Sequence, residues 1–183
     1  MLELCTAPPS AQPRRRIVVG IGEFAVSNDR ASVIVTHALG SCIAVCVWDP
    51  AAKVAGLIHV LLPDSKINPS RASEQPAAFA DTGVPLLFRT AYEYGVDKKR
   101  CQVRLVGGAD ITRASGAAST ADAGPAAQSV GKRNLLAVRS LLWRNGVLVS
   151  KEAFGGNEPR TVSMDVSDGS LQISSGGETV CHM

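Results

Sequence analysis

The sequence lacks any apolar run that is long enough to cross a membrane. A membrane-spanning helix needs at least roughly 18 consecutive apolar residues, and every apolar run of this 183-residue chain is shorter. Residues 1–16 also lack the apolar centre of a secretory signal peptide. We therefore expect a cytoplasmic protein that is not inserted in a membrane.

A strong excess of one charge sign is also missing. The chain has 19 basic and 16 acidic residues, for a net charge of +3. Its one basic run, Arg14 to Arg16, follows a proline-rich segment and is not interleaved with aromatic residues. Because nucleic-acid-binding proteins usually present a basic face with groove-reading or stacking side chains, we expect no nucleic-acid partner.

The cysteines do not form a disulfide framework. There are five of them, at positions 5, 42, 46, 101 and 181, which is an odd number without the regular spacing of a disulfide-rich domain. Such usage fits reduced thiols in a reducing compartment. Cys5, Cys101 and Cys181 are interpreted as structural or incidental, and Cys46 as a core residue.

Length and composition predict a single domain. An apolar content of 45% over 183 residues is enough for one substantial core. Residues 1–15 are predicted to be a disordered lead, residues 16–177 the domain, and residues 178–183 a C-terminal tail. Residues 109–130 are dominated by Ala, Ser, Gly and Thr, which offer little surface to bury, and are predicted to form a mobile loop.

The order of predicted elements indicates an α+β fold. Many short strand-like segments accompany two clear helical patterns, one from about residue 81 to Gly95 and one from about residue 131 to Gly146. There is no regular alternation of strand and helix, so a doubly wound parallel sheet is disfavoured. We expect mixed β-sheets packed together with flanking helices.

The pattern of residues 36–62 predicts a β-hairpin, around which the rest of the chain is organised. Two apolar runs, residues 43–48 and 54–62, flank the polar sequence DPAAK. Asp followed by Pro suits a type I turn, because the carboxylate accepts from the backbone ahead and Pro fixes φ.

The register of this hairpin decides whether Cys42 meets His59. With the turn centred after Pro50, partner numbers sum to 101 and Cys42 opposes His59, within reach of a thiol–imidazole hydrogen bond. A sum of 103 leaves the two residues diagonal on one face, whereas a sum of 102 separates them onto opposite faces. We expect the sum of 101.

Cys42 has the surroundings of a nucleophile. It follows Gly40 and Ser41 in a tight bend whose backbone N–H groups could face a developing oxyanion. His37 is close in sequence, but five residues across a bend fix no orientation, so His59 is preferred as the base.

Zinc is the competing interpretation of the same residues. His37, Cys42, Cys46 and His59 are four suitable ligands. In structural zinc sites, however, cysteines two to four residues apart usually lie on a turn that curls around the metal. Cys42 and Cys46 are predicted to lie on an extended strand, where a separation of four residues spans roughly 13 Å. We therefore expect no metal. A papain-like protease is also disfavoured, because the sequence Cys-Gly-Ser-Cys-Trp is absent.

Several segments in fixed order resemble one known family. They cover most of residues 17–177 and are GIGEFAVSND, VIVTHALGSCIAVCVWDP, KVAGLIHVLLPDS, ADTGVPLL, LVGGA, VGKRNLLAVR, NGVLV and FGGNEPRTVSMDVSDG. In these segments, and in the spacing Thr-x5-Cys-x16-His, the chain resembles the CheD chemoreceptor glutamine deamidases of bacterial chemotaxis.

The resemblance implies an activity and a catalytic set. Cys42 would be the nucleophile, His59 the general base and Thr36 the third member. The enzyme would be a protein-glutamine glutaminase that converts receptor glutamines to glutamate through a thioester, with no cofactor. The resemblance also implies a fold similar to that of bacterial deamidating toxins and a partner phosphatase of the CheC type. The alternative is a catalytically silent binding module that regulates such a phosphatase.

Overall fold

The computed structural model describes residues 14–110 and 129–183. The predicted disordered lead at residues 1–15 and the predicted mobile loop at residues 109–130 therefore lie almost entirely outside the described residues. At the two borders, Arg15 begins the first strand and Val130 begins a helix.

The described residues contain ten strands in two mixed five-stranded sheets, which confirms the predicted α+β class. The strands are β1 (Arg15–Val19), β2 (Phe24–Ser27), β3 (Ser32–Leu39), β4 (Ile43–Asp49), β5 (Val54–Val60), β6 (Gln102–Gly107), β7 (Val149–Phe154), β8 (Arg160–Asp165), β9 (Leu171–Ser175) and β10 (Glu178–His182). Sheet A has the order β1-β3-β8-β9-β10 and sheet B the order β2-β5-β4-β6-β7.

Both predicted helices are present, and a short third one precedes them. They are α1 (Pro69–Glu74), α2 (Ala80–Glu93) and α3 (Val130–Arg144). Gly95 and Gly146 follow α2 and α3 with φ of 92° and 63°, the left-handed conformation that commonly ends a helix. No helix among the described residues is long and apolar enough to cross a membrane.

Sheet B is covered on both faces, so the molecule has three layers. One face of sheet B packs on α2 and α3 through residues such as Val45, Ile58, Leu87 and Leu142. The other face packs on sheet A through a second cluster that includes Leu57 and Met164. Every residue of β4 and β5 is buried, which explains why these strands are continuous apolar runs rather than alternating ones.

The β4–β5 hairpin is present, but its expected register is wrong. Ile43 pairs with Val60 and Asp49 with Val54, so partner numbers sum to 103 instead of 101. The turn has four residues between the paired ends because Lys53 adopts a left-handed φ of 56° and donates its N–H to the Asp49 carbonyl at 2.9 Å.

The predicted C-terminal tail is also corrected by the structure. Residues 178–182 form β10, which pairs antiparallel with β9. Gly176 and Gly177, with φ of 59° and 88°, make the tight connection between these strands. Two glycines between strand-like segments are a strong hairpin signal.

Candidate active site

A hydrogen bond between the two sheets positions the imidazole. Thr36 lies on β3 of sheet A and His59 on β5 of sheet B, and the Thr36 Oγ1 is 2.8 Å from the His59 Nδ1. Both side chains are fully buried. The two residues are 23 positions apart in the chain and meet only because the sheets pack face to face.

The Thr36 hydroxyl also determines which imidazole nitrogen is basic. Its single proton is donated to the Val19 carbonyl oxygen at 2.8 Å, on the neighbouring strand β1. The hydroxyl oxygen must then accept the proton on His59 Nδ1. The lone pair of a neutral His59 is therefore on Nε2, which has no hydrogen-bond partner among the described residues. A free basic nitrogen is what a general base requires.

By the strand register, Cys42 lies on the same face of sheet B as His59 and is diagonal to it rather than directly opposed. Ala44 pairs directly with His59, and Cys42 is two residues before Ala44. Residues two positions apart on a strand share a face, and a diagonal cross-strand neighbour is within reach of a long or aromatic side chain. The two residues therefore remain neighbours in the observed register, as expected for a sum of 103.

Both groups are uncharged at neutral pH. Burial raises the pKa of the Cys42 thiol and lowers the pKa of His59 to about 4. An ion pair of thiolate and imidazolium is thus not the resting state. The arrangement instead places a neutral thiol beside a neutral base, which suits proton transfer at the moment of attack.

The bend before Cys42 presents backbone donors. Gly40 donates its N–H to the Ala38 carbonyl at 2.9 Å, so one of the two candidate oxyanion donors is already engaged. The N–H groups of Ser41 and Cys42 have no acceptor among residues 14–110 and 129–183. Those two groups are thus the better candidates for stabilising negative charge on a substrate oxygen.

Residues 107–109 hold this bend from the other side. Gly108 donates to the Cys42 carbonyl and Ala109 to the Gly40 carbonyl, both at 2.8 Å. Gly107 has φ of 123°, and a Cβ on it would lie 2.2 Å from the Cys42 carbonyl oxygen. Only glycine fits this close approach, so the apolar strand β6 ends in glycines for a reason connected with the site.

Asn134 is a site residue that the sequence analysis missed. It is fully buried on α3, and its Nδ2 donates to the Ser41 carbonyl at 3.0 Å and to the Leu61 carbonyl at 2.9 Å. A polar residue on the inward stripe of a helix, directly before Leu135, was the available signal. The segment supported a helix prediction and the family resemblance, neither of which assigns Asn134 a role.

His37 lies away from this constellation, and Cys46 is enclosed in the core beside it. His37 is exposed, and its Nδ1 is 3.3 Å from the Thr161 Oγ1, because neighbouring residues of β3 point to opposite faces. Cys46, two residues after Ala44, is the other diagonal neighbour of His59, but it is fully buried in β4 and burial raises its thiol pKa to about 12. Among the described residues, no group of three or more His, Cys, Asp or Glu side chains is arranged to hold a metal ion.

A groove lies next to the residues that hold the bend. It encloses about 320 Å³ and is lined by Gly108, Lys132, Arg139, Phe154, Gly155 and neighbouring residues. The Arg139 guanidinium stacks 4.8 Å above the Phe154 ring and pairs with Glu152. The groove thus combines apolar and basic side chains beside the bend that carries Cys42.

Comparison with known proteins identifies the family. The family model described as CheD chemotactic sensory transduction matches residues 61–175. The chain belongs to the CheD family. The matched range begins two residues after His59, so the roles of Thr36, Cys42 and His59 depend on the geometry above.

Curated CheD relatives match over most of their length. The probable chemoreceptor glutamine deamidase CheD 1 of Syntrophus aciditrophicus is 39% identical over 88% of this chain and 94% of the relative. The chemoreceptor glutamine deamidase CheD of Thermotoga maritima is 36% identical over 88% of this chain and 94% of the relative.

A solved structure was also found. The crystal structure of a Neisseria meningitidis protein of the DUF152 family superposes with a TM-score of 0.43 at 12% identity, over 78% of this chain and 63% of that chain. At that score the neighbour supports no statement about function.

Proposed function

We propose that this CheD-family chain is a chemoreceptor glutamine deamidase, a hydrolase that acts on the side-chain amide of protein glutamine. The names of its relatives support the activity. The observation that carries the chemistry is the Thr36 hydroxyl, which bonds Val19 and His59 and leaves the His59 Nε2 unprotonated on the face that carries Cys42.

In the first half of the proposed reaction, His59 Nε2 takes the proton of Cys42 as the sulfur attacks the carboxamide carbon of the glutamine. The substrate oxygen becomes an oxyanion, which the N–H groups of Ser41 and Cys42 stabilise. The imidazolium then returns its proton to the amide nitrogen. The C–N bond breaks, ammonia leaves, and a γ-glutamyl thioester on Cys42 remains.

In the second half, His59 acts on water. Its Nε2 removes a proton as the water oxygen attacks the thioester carbon, and the released thiolate recovers that proton from the imidazolium. The products are a glutamate side chain and the resting enzyme. The proton of the new carboxylic acid passes to solvent and every other proton is carried by His59, so these steps need no metal or organic cofactor.

The proposed substrates are the cytoplasmic domains of methyl-accepting chemotaxis receptors, which places the reaction in the cytoplasm. Deamidation gives the receptor a new carboxylate that can be methylated. The family resemblance supports a CheC-type phosphatase as a further partner.

The decisive test is substitution of the nucleophile. Cys42→Ala should abolish both ammonia release and conversion of glutamine to glutamate, since the second thiol on this face, Cys46, is fully enclosed in the core. The measurement is mass spectrometry of a cognate receptor cytoplasmic domain after incubation with the enzyme, together with an ammonia assay.

Cys46→Ala is the matched control. It removes a buried thiol from the same strand face, four residues further on, and should retain wild-type conversion. Conversion by Cys42→Ala at the wild-type rate would refute the assignment of the nucleophile. Absence of conversion by the wild-type protein would favour the silent binding module instead.

A further inference from the structure

Asn134 joins the two segments that carry the nucleophile and the base. Its side-chain amide donates one N–H to the carbonyl of Ser41, the residue before Cys42, and the other to the carbonyl of Leu61, two residues after His59. No other donor to either carbonyl is present among the described residues. The amide is thus the direct link between the nucleophile bend and the end of β5.

This link lies where strand pairing stops. The β4–β5 ladder begins with the pair Ile43 and Val60, so Ser41 and Leu61 lie beyond it and are not held by strand hydrogen bonds. Gly108 and Ala109 hold the bend that carries Cys42 from the β6 side, but they do not tie it to β5, which carries His59. Asn134 supplies that tie from a third element, α3.

The backbone of α3 is itself fixed against the same region. A Cβ on Gly131, at the start of α3, would lie 2.6 Å from the Gly108 carbonyl oxygen, and Gly108 holds the Cys42 carbonyl. Gly131 and Asn134 are three residues apart, so they share a helix face. The first turn of α3 therefore lies against the nucleophile bend.

Stability alone does not account for an asparagine at this position. The Asn134 side chain is completely buried, and its Oδ1 has no hydrogen-bond partner within the described part of the chain. The cost of a buried acceptor without a donor is comparable to the net gain from two hydrogen bonds. The geometry imposed on the two carbonyls is then the remaining contribution of the amide.

We propose that Asn134 is a positioning residue of the deamidation reaction, which sets the position of Cys42 relative to His59 by bridging the Ser41 and Leu61 carbonyls. This inference rests on the proposed function. It assigns Asn134 no contact with the substrate. Its effect is on the step in which the thiol proton moves to His59.

Two substitutions test the link. Asn134→Ala removes both donors, and Asn134→Asp keeps the shape but replaces the amide nitrogen with an oxygen that repels both carbonyls. Each should lower kcat about 10- to 100-fold, because displacement of a reacting group by roughly 1 Å can cost about a hundredfold in rate. KM should stay close to the wild-type value, since substrate contacts are unchanged.

Val138→Ala is the control for a purely structural effect. Val138 lies one turn further along α3 and is fully buried in the helix-facing core, so truncation costs stability without loosening the link. Its kcat should equal the wild-type kcat at a temperature at which circular dichroism shows each variant to be fully folded.

The pH profile of Cys42 alkylation separates positioning from folding. At neutral pH the un-ionised Cys42 thiol is alkylated as His59 takes its proton, so in Asn134→Ala the rate of iodoacetamide labelling at neutral pH should fall and should recover only at alkaline pH, where the thiol ionises without help from His59. The Val138→Ala profile should match the wild type. If Asn134→Ala does not fold, Asn134→Ser, whose hydroxyl can serve only one carbonyl at a time, should show the same shift to a smaller extent.

Two outcomes would overturn the inference. One is a folded Asn134→Ala or Asn134→Asp protein with wild-type kcat, and the other is an unchanged alkylation profile in a folded Asn134 variant. Failure of the proposed function is recognised separately, because Cys42→Ala would then deamidate the receptor or the wild-type protein would not.

Discussion

The Thr36 hydroxyl controls the site through one proton. Because that proton is donated to the Val19 carbonyl, the oxygen can only accept from His59, and the tautomer with a free Nε2 is selected. A carboxylate at this position would raise the basicity of the imidazole, whereas a neutral hydroxyl orients it without adding charge. The low pKa of His59, about 4, fits an orienting group of this kind.

Removal of that hydroxyl should impair catalysis without removing bulk. Thr36→Val is nearly isosteric and leaves His59 Nδ1 without its acceptor, so we expect kcat for deamidation to fall at least about tenfold, which is part of the roughly 100- to 10,000-fold that a positioned acid–base group contributes. Thr36→Ser keeps the hydroxyl and should retain most of the activity. Equal kcat values for the Val and Ser variants would contradict the assignment.

The fall of kcat/KM for deamidation at acid pH should be set by protonation of His59. Burial lowers its pKa to about 4, and only the neutral imidazole accepts a proton, so kcat/KM should stay high down to about pH 5 and fall as the pH drops through 4. The measurement is ammonia release between pH 3 and 8, with circular dichroism to confirm folding at each pH. An acid limb near the ordinary histidine value of 6.5 would contradict a buried, neutral His59.

At the scale of elements, the β4–β5 turn is held by a buried carboxylate. Asp49 is fully buried and accepts hydrogen bonds from the N–H groups of Ala51, Ala52 and Asp97 and from the Arg100 guanidinium. Burial alone would raise the pKa of Asp49, but these donors outweigh it and lower the pKa to about 2. The turn therefore ties the hairpin to the segment before β6.

The Asp49 carboxylate should make the free energy of unfolding depend on pH in the acid range. Because the folded pKa of about 2 lies below the ordinary value of 3.8, the stabilisation is present above about pH 4 and lost as the pH falls through 2. We expect wild-type protein to lose about 2 kcal/mol more unfolding free energy than Asp49→Asn between pH 5 and pH 2.

Urea unfolding at several pH values measures this difference. The Asp49→Asn protein keeps a side-chain oxygen for the turn N–H groups but carries no charge, so it should be less stable at pH 5 and converge with wild type at pH 2. Parallel pH dependences in the two proteins would show that Asp49 is not the titrating group.

Elements with a local signature could be predicted from the sequence. Strand runs bounded by DPAAK, and helices ended by Gly95 and Gly146, are encoded by neighbouring residues, and all are present. The hairpin register was wrong because it depends on the left-handed backbone of Lys53, a conformation that a lysine rarely adopts. Turn length is thus the weak point of register prediction.

The site could be predicted only in part, for a related reason. Cys42 and His59 were connected through a hairpin, which is a local element. From the residues alone, the link of Thr36 to His59 could not be derived, since it requires knowledge of how two sheets pack. Asn134 was missed because its partner Ser41 is 93 residues away, and nothing in a helical stripe indicates which distant loop a buried amide will meet.

At the scale of the whole molecule, Cys46 should report global unfolding. It is fully buried in β4, which pairs with both β5 and β6, and burial raises its thiol pKa to about 12. Reaction with iodoacetamide therefore requires opening of the central sheet. We expect its labelling rate to depend on urea with the slope of global unfolding.

Cys101 and Cys181 are internal controls, because both are partly exposed. They should label without urea, which peptide mass spectrometry can resolve for each cysteine in one sample. Labelling of Cys46 in native buffer as fast as that of Cys181 would mean that sheet B opens locally.

The separation of Thr36 from His59 onto different sheets has a consequence for tolerance to substitution. Residues between the sheets, such as Met164, set the sheet spacing and with it the 2.8 Å contact at His59. Residues on the helix-facing side, such as Leu142, do not touch that contact. A change of volume between the sheets should therefore alter both the packing and the Thr36–His59 distance, whereas the same change beneath the helices should leave that distance as it is.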